Sequence, residues 1–395
     1  MKKTLLAAAL VAGFAGVAQA ESSVTLYGLV DAGLGYSEKK TTTEGSSTKL
    51  REIGAVTNIK NGSRWGLKGT EDLGNGTAAI FQLESGFDPA TGHSEQAETS
   101  TLTVKDKAGN EVGTTKVKQG RLFGRKAIIG LTGESWGTFT VGRQYNVADD
   151  LVSGIDPFGT GWGNAGAGST FGDSISARQS PTFKYLSPNY DGFKFGVGFG
   201  YNDEKESANG NQTGKKSSKI ATAGVGYNNG GLEVGASFDY DRQKAEGDLG
   251  EQDRTAKAWT VAAAYDFNPV KVALGYGQQR DGVINGKFGL ADSAYGLKAW
   301  DKRGLRAQSW FGGLTFKASE TSKIIAGYQG GRIKHNDFDG VRINTHVWSL
   351  GYQQDLSKRT HVYVLGSYGQ SKWKQENNDQ KVRFTQAVVG LQHRF

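Results

Sequence analysis

Acid–base or metal chemistry in this chain would have to start from its histidines, His93, His335, His346, His361 and His393. His93 and His335 fall in or beside polar connecting stretches, and the other three lie on three separate late segments. None has the HExxH spacing that sets two imidazoles on one helix face. Hydrolysis of lipid would need an outward Ser and His on neighbouring strands, for which His346 with Ser349 or Ser367 is the best pair. The letters GxGxxG occur at 161 to 166 as "GWGNAG", but with no strand before and no helix after, so a dinucleotide site is not expected. The P-loop pattern GxxxxGK[ST] is absent. No catalytic residue, metal ligand or cofactor is therefore expected. The basic residues are spread through the chain rather than gathered with stacking aromatics, which argues against nucleic acid.

The elements that would position such residues are strands. In "GLEVGASFDYD", 231 to 241, Leu232, Val234, Ala236, Phe238 and Tyr240 alternate with Glu233, Gly235, Ser237, Asp239 and Asp241. One face is greasy and one is wet. "AWTVAAAYDF" and the terminal "AVVGLQHRF" repeat the pattern. A soluble barrel would need large aliphatic side chains for an internal core, yet the chain has 36% hydrophobic residues, one Met, no Cys and 59 Gly in 395 residues. The greasy faces must touch something other than a core.

Residues 1 to 20 are expected to be a cleaved signal peptide, with Lys2 and Lys3, an apolar stretch from Leu5 to Val17, and Ala18-Gln19-Ala20 before the cut. The formal net charge of +8 would fall to +6 when those two lysines leave. No later segment approaches eighteen consecutive apolar residues, so no helical membrane span is expected. The absence of Cys excludes a disulfide framework.

Short, turn-rich connections such as "DLGNG" (72 to 76), "NNGG" (228 to 231) and "DLSK" (355 to 358) alternate with long polar ones at 38 to 59, 88 to 119, 146 to 177, 203 to 217, 243 to 255 and 280 to 305. Roughly sixteen strands result, with both chain ends on the short-turn side. An even number of alternating strands of about ten residues, with tight turns at one end and long loops at the other, is the signature of an antiparallel transmembrane β-barrel. The greasy faces then touch lipid, and closure satisfies the backbone. Tyr27, Tyr36, Tyr201, Tyr227, Tyr240, Tyr265, Phe267, Tyr276, Tyr328, Tyr352 and Phe395, near strand ends, are expected to form the two aromatic girdles.

The stretches "SVTLYGLVDAGLGYS", "NGSRWGLKGTEDLGNGTAAIFQLESGFD", "GRLFGRKAIIGLTGESWGTFTVGRQYN", "DLSKRTHVYVLGSYG" and "GLQHRF" together resemble the Gram-negative porin family, in its general-diffusion type, over residues 23 to 395. The resemblance implies an all-β, 16-stranded antiparallel barrel in the outer membrane, assembled as a homotrimer, with a water-filled pore. Its third long loop, here about 146 to 177, would fold inward and narrow the lumen. A passive diffusion channel for ions and small hydrophilic solutes is implied, with no turnover.

Carried over position by position, Arg64, Arg125 and Arg178 resemble the basic cluster of the family's constriction, with Lys68 sharing Arg64's inward face. Glu84 takes the place of an inward glutamate beside them, and Asp156 that of an acid on the constricting loop. Leu29 stands where some members carry a lysine after "LYG". The basic cluster favours mild anion preference, since fixed positive charge in a low-dielectric narrowing concentrates anions, while Asp149, Asp150 and Asp156 pull the other way. Phe395 resembles the C-terminal signal read by the outer-membrane insertion machinery. Lipopolysaccharide phosphates are expected neighbours of loop lysines such as Lys215 and Lys216. Two alternatives stand beside this reading. One is a substrate-specific channel with lumen aromatics such as Phe158 and Trp162, and the other is a surface-binding, adhesive barrel with a closed pore.

Overall fold

The greasy and wet faces of residues 231 to 241 are disposed the opposite way to those of a soluble protein. Leu232, Val234 and Phe238 are exposed, while Ser237, Asp239 and Asp241 are buried. The computed structural model describes residues 23–96, 98–105, 111–119, 121–208, 211–247, 250–286, 289–290, 303–336, 342–374 and 379–395. The expected signal peptide at 1 to 20 lies outside them.

The first half of the wall is β1 (Ser23–Thr43), β2 (Ser46–Thr57), β3 (Arg64–Gly74), β4 (Thr77–Gly86), β7 (Lys126–Gly133), β8 (Gly137–Tyr145), β9 (Arg178–Leu186), β10 (Phe193–Ala208) and β11 (Asn211–Asn229). It continues with β12 (Leu232–Gly247), β13 (Gly250–Asp266), β14 (Val270–Arg280), β15 (Leu305–Ser319), β16 (Ser322–His335), β17 (Arg342–Asp355), β18 (Thr360–Lys374) and β19 (Gln380–Arg394). Every pairing is antiparallel, and β1 closes on β19 with Leu29 opposite Arg394. The upper half of β1 pairs with β2 and its lower half with β3. These two strands are therefore one stave interrupted at 58 to 63, and the 17-stranded sheet is a closed barrel of 16 staves. A separate hairpin, β5 (Glu98–Lys105) with β6 (Glu111–Gln119), occupies the connection after β4.

Several stretches expected to be loops are strand. Residues 38 to 59 are mostly the hairpin of β1 and β2, turning at Glu44 and Gly45, and much of 203 to 217 and 243 to 255 extends β10 through β13. Beyond the lipid both faces of a strand are polar, so the alternation disappears while the backbone ladder continues. Sequence periodicity marks only the part of a strand that lipid touches.

The outer face is apolar and exposed, with Leu34, Ile129, Leu274 and Leu350 each at least 60% accessible. Tyr227, Tyr265, Phe267 and Phe395 stand on it near the strand ends, and Tyr201 stands on it midway along β10. Tyr27 does not belong to a girdle: its hydroxyl donates inward to Glu84 Oε2 at 3.0 Å. The chain ends are tied together, since Gly28 and Phe395 exchange both backbone hydrogen bonds, at 3.0 and 3.1 Å. A Cβ on Gly28 would lie 2.4 Å from the Phe395 ring, so only glycine lets the terminal aromatic lie there.

The small core lies inside the barrel, between the third loop and the wall. Phe171 and Ile175 of the loop bury against Ala262, Ala273 and Phe311, and Phe158 and Trp162 against Ile325, Tyr363 and Leu365.

Candidate functional site

The constricting loop occupies 146 to 177, all of the chain between β8 and β9, as expected. Its base is pinched shut: Asn146 N donates to Ala177 O at 2.8 Å, Ala177 N donates back to Asn146 Oδ1 at 3.0 Å, and Asn146 Nδ2 donates to Asp239 Oδ1 on β12 at 3.1 Å. From there the loop lies across the wall from β10 round to β19. Glycines make the close approach possible. A Cβ on Gly235 would stand 2.3 Å from the Leu151 carbonyl oxygen, and one on Gly327 would stand 2.8 Å from the Phe158 ring. Wall side chains then clasp the loop backbone. Gln279 donates to Phe171 O at 3.0 Å, Ser309 to Thr170 O at 2.6 Å, and Gln329 to Ala165 O at 2.8 Å and Gly166 O at 3.0 Å. Covering that side leaves open space against the staves that carry the arginines.

That space is a cavity of about 530 Å³ between the loop and the wall of β3, β4, β7, β8 and β9. Five cations line it, Lys60, Arg64, Arg125, Lys126 and Arg178, against two acids, Glu84 and Asp149. Arg125 Nε donates to Glu84 Oε1 at 2.6 Å, and its Nη2 to the Tyr145 hydroxyl at 3.1 Å. Arg178 lies over the Tyr145 ring, 4.6 Å from its centroid, and donates to the same hydroxyl. Lys126 Nζ stands 5.8 Å from that ring. Tyr145 is thus a shared platform that holds cations together without neutralising them. Arg64 lines the cavity with no ion-pair partner among the described residues.

The structure gathers Arg64, Arg125, Arg178 and Glu84, and it separates Lys68 and Asp156 from them. Lys68 does not line the cavity, and its Nζ stands over the Tyr27 ring at 5.7 Å. Asp156 does not face the pore, which corrects the expectation of an opposing acid there. Its carboxylate is 4% accessible and accepts backbone N–H groups from Phe158 at 3.1 Å, Thr160 at 2.8 Å and Ala167 at 2.7 Å. It ties the loop's turns together, and burial pushes its carboxyl above the usual range despite those three donors. The loop acid on the cavity is Asp149, held by Ser176 Oγ at 2.5 Å. Burial raises its carboxyl as well, with Asp150 acting in the same direction and the Ser176 hydrogen bond opposing. Asp150 is drawn away into an ion pair with Lys184 at 2.5 Å.

Phe158 and Trp162 do not line the lumen. Both are buried, Trp162 edge-on to Tyr363 at 5.2 Å, so they anchor the loop and offer no sugar platform. The lipid-hydrolase pair fails by sheet parity. His346 points outward, bonded to Tyr328 and stacked beside Trp348, while Val347 and the buried Ser367 point inward with Ser349 on the same face.

The sequence reading did not single out Lys60, Lys126 and Tyr145 on the cavity, nor Asp31 behind it. Asp31 is fully buried and receives Ile59 N at 3.2 Å, Asn61 N at 3.3 Å, Tyr363 Oη at 2.8 Å and Gln392 Nε2 at 2.8 Å. These bonds satisfy the backbone where the second stave breaks, and the break turns Lys60 inward, where its buried Nζ donates to Gln353 Oε1 at 2.7 Å and stands over the Trp162 ring at 5.3 Å. A lone acid in "LVDAGLG", sharing the parity of Tyr27 and Leu29, was the available signal.

A closed 16-stave barrel, apolar outside and narrowed by an inserted charged loop, defines a transmembrane channel. The family model described as Gram-negative porin matches residues 7–374. The chain is 37% identical to an outer membrane porin protein of Bordetella pertussis, over the whole of both chains. It is 29% identical to outer membrane porin protein 32 of Delftia acidovorans, covering 92% of this chain and 88% of that one. Among solved structures, the anion-selective porin from Comamonas acidovorans superposes with a TM-score of 0.64 at 23% identity, covering 95% of this chain and all of that one. The chain belongs to the Gram-negative porin family and is an outer-membrane porin channel.

Proposed function

We propose that this porin passes ions and small hydrophilic solutes by diffusion with a mild preference for anions, set where Arg64, Arg125 and Arg178 face the third loop. The observation that carries this is the excess of Arg64, Arg125, Lys126 and Arg178 over Glu84 and Asp149 around the constriction cavity, with the Lys60 ammonium turned aside onto Gln353. Fixed positive charge between low-dielectric walls raises the local anion concentration. Glu84 holds Arg125 extended by a charge-assisted bond and removes part of its charge from the field. The relative from Comamonas acidovorans whose name calls it anion-selective is consistent with this reading.

The chain does no catalysis in this account and needs no cofactor. It assembles as a homotrimer after export through a leader at 1 to 20, and the insertion machinery reads the strand ending in Phe395. Outer-membrane lipid and lipopolysaccharide surround it. The test is Arg178→Glu in planar bilayers. Arg178 makes no ion pair among the described residues, so the reversal strands no carboxylate and gives up only the contacts with Tyr145. Selectivity should move toward cations while conductance persists. Unchanged selectivity would remove Arg178 from the narrowing.

A further inference from the structure

A second stretch of chain enters the barrel from the long-loop end. Val283, Ile284 and Leu290 follow β14 in a connection, yet all three are buried. Val283 packs with Leu305, Ile333 and Ile343 of the inner wall, and Ile284 with Ala256 and Ala258 of β13 and with Ala177, the last residue of the third loop. Gly289 abuts the third loop directly, since a Cβ there would stand 2.3 Å from Ser169 O. A connection that only joined two strands outside the membrane would leave such side chains to water.

An ion pair that takes no part in the arginine cavity clasps this stretch. Arg254 Nη2 donates to Asp241 Oδ2 at 2.5 Å, with the two side chains 11% and 3% exposed. Arg254 Nη1 donates to Val283 O at 3.1 Å, and Asp241 Oδ2 accepts Asn285 N at 3.0 Å. The pair thus serves the backbone on both sides of Ile284, and these added bonds offset part of the cost of burying two charges. Two further links run to the third loop. Gln279 on β14 accepts Ile284 N at 3.0 Å through Oε1 and donates to Phe171 O at 3.0 Å through Nε2, so one amide holds both loops. Asn285, which is exposed, donates to Asp173 Oδ2 at 2.8 Å.

We propose that residues 281 to 286 form a second tier of the constriction, which lies on the third loop from its outer side, narrows the mouth there and fixes that loop in place, with Arg254, Asp241 and Gln279 as its positioning residues. Long loops mark the outer end of a bacterial barrel, so solutes entering from outside meet this tier before Arg64, Arg125 and Arg178. Its links fall on β12 to β14 and on loop residues 171 to 177, away from the staves that carry the arginines. The tier therefore bounds the pathway by shape, and the size limit it sets is separate from the sign of selectivity. The proposal rests on the reading of this chain as an open diffusion pore and not on its anion preference.

The chain has no cysteine, so introduced thiols are unique. In full-length protein carrying Asn285→Cys and Asp173→Cys, a short bis-methanethiosulfonate should bridge the two thiols within one chain, with the same single-channel conductance before and after bridging. Failure to bridge, or a fall in conductance on bridging, overturns the proposal, since the stretch would then sit away from the third loop while the pore conducts. A second variant replaces the clasp by apolar groups, Arg254→Met with Asp241→Leu, and is read with poly(ethylene glycol)s of graded size added to one side of a planar bilayer. It should admit from the outer side polymers that the wild type excludes, with higher conductance and the same sign of reversal potential. If it does not fold, Asn285→Cys carrying a bulky methanethiosulfonate adduct should lower the outer size limit instead. An outer limit that neither change moves, in a conducting pore, overturns this proposal alone, whereas a wild type without stepwise conductance would overturn the diffusion reading and this proposal with it.

Discussion

Arg125 and Glu84 form an ion pair at 2.6 Å with both side chains about 7% exposed, and Tyr27 holds the second carboxylate oxygen at 3.0 Å. The pair fixes the direction of the guanidinium so that its far nitrogen reaches Tyr145 and the cavity.

Glu84→Gln should therefore strengthen anion preference, because one of the cavity's two acids disappears while the cations remain. Leaving Arg125 without its carboxylate should also cost on the order of 3 kcal/mol. Reversal potentials under a salt gradient and the temperature of barrel unfolding read the two effects separately. A shift toward cations would mean that Glu84 does not face the permeating ion.

Asp31→Ala should loosen the break at 58 to 63, since four donors lose one acceptor inside the wall. The expected cost is about 2 kcal/mol or more in stability, with noisier open-channel current as Lys60 and Arg64 lose their fixed footing. Quiet current with undiminished stability would show that the break is held by other bonds.

For Asp156→Ala we predict an unchanged sign and size of selectivity, because the carboxylate is turned into the loop and away from the lumen. The loop should become more accessible to protease at Gly159 to Gly166. A change in reversal potential comparable to that of Asp149→Asn would contradict the geometry.

Acidification tests Asp149. Its raised pKa means that it takes up a proton at a higher pH than an ordinary aspartate. The neighbouring charges are Asp150, which favours protonation, and Lys126 and Lys184, which oppose it. As pH falls toward the ordinary carboxylate range, anion preference should rise, and Asp149→Asn should show it already at neutral pH with a flatter profile. Identical profiles in both proteins would exclude Asp149 from the field.

Gly235→Val would drive a side chain into the Leu151 carbonyl and lift the start of the loop from the wall. Overpacking of this kind costs about 1–3 kcal/mol, and here it should also lower single-channel conductance by pushing the loop across the open space. Normal conductance would show that the loop seats elsewhere.

The barrel was legible because lipid imposes a strict alternation on each strand, as in residues 231 to 241, and because turn-rich connections such as "NNGG" stand out between strands. The extensions of β10 to β13 were not legible, since nothing apolar marks a strand once it leaves lipid. The arginines and Glu84 could be placed by resemblance and parity. Asp156 could not, because whether a loop acid faces water or its own backbone depends on the loop's fold, which leaves no periodic trace. Asp31 was hidden for a related reason: its partners Ile59, Asn61, Tyr363 and Gln392 come from distant segments.

The central claim is that the arginine side of the constriction governs the field within the pore. It is tested most directly by the reversal potential of the wild-type protein in a planar bilayer under a potassium chloride gradient. We predict stable stepwise conductance with a potential whose sign reports chloride as the more permeant ion. A potential of the opposite sign would transfer control of the pore from Arg64, Arg125 and Arg178 to the acids that face them.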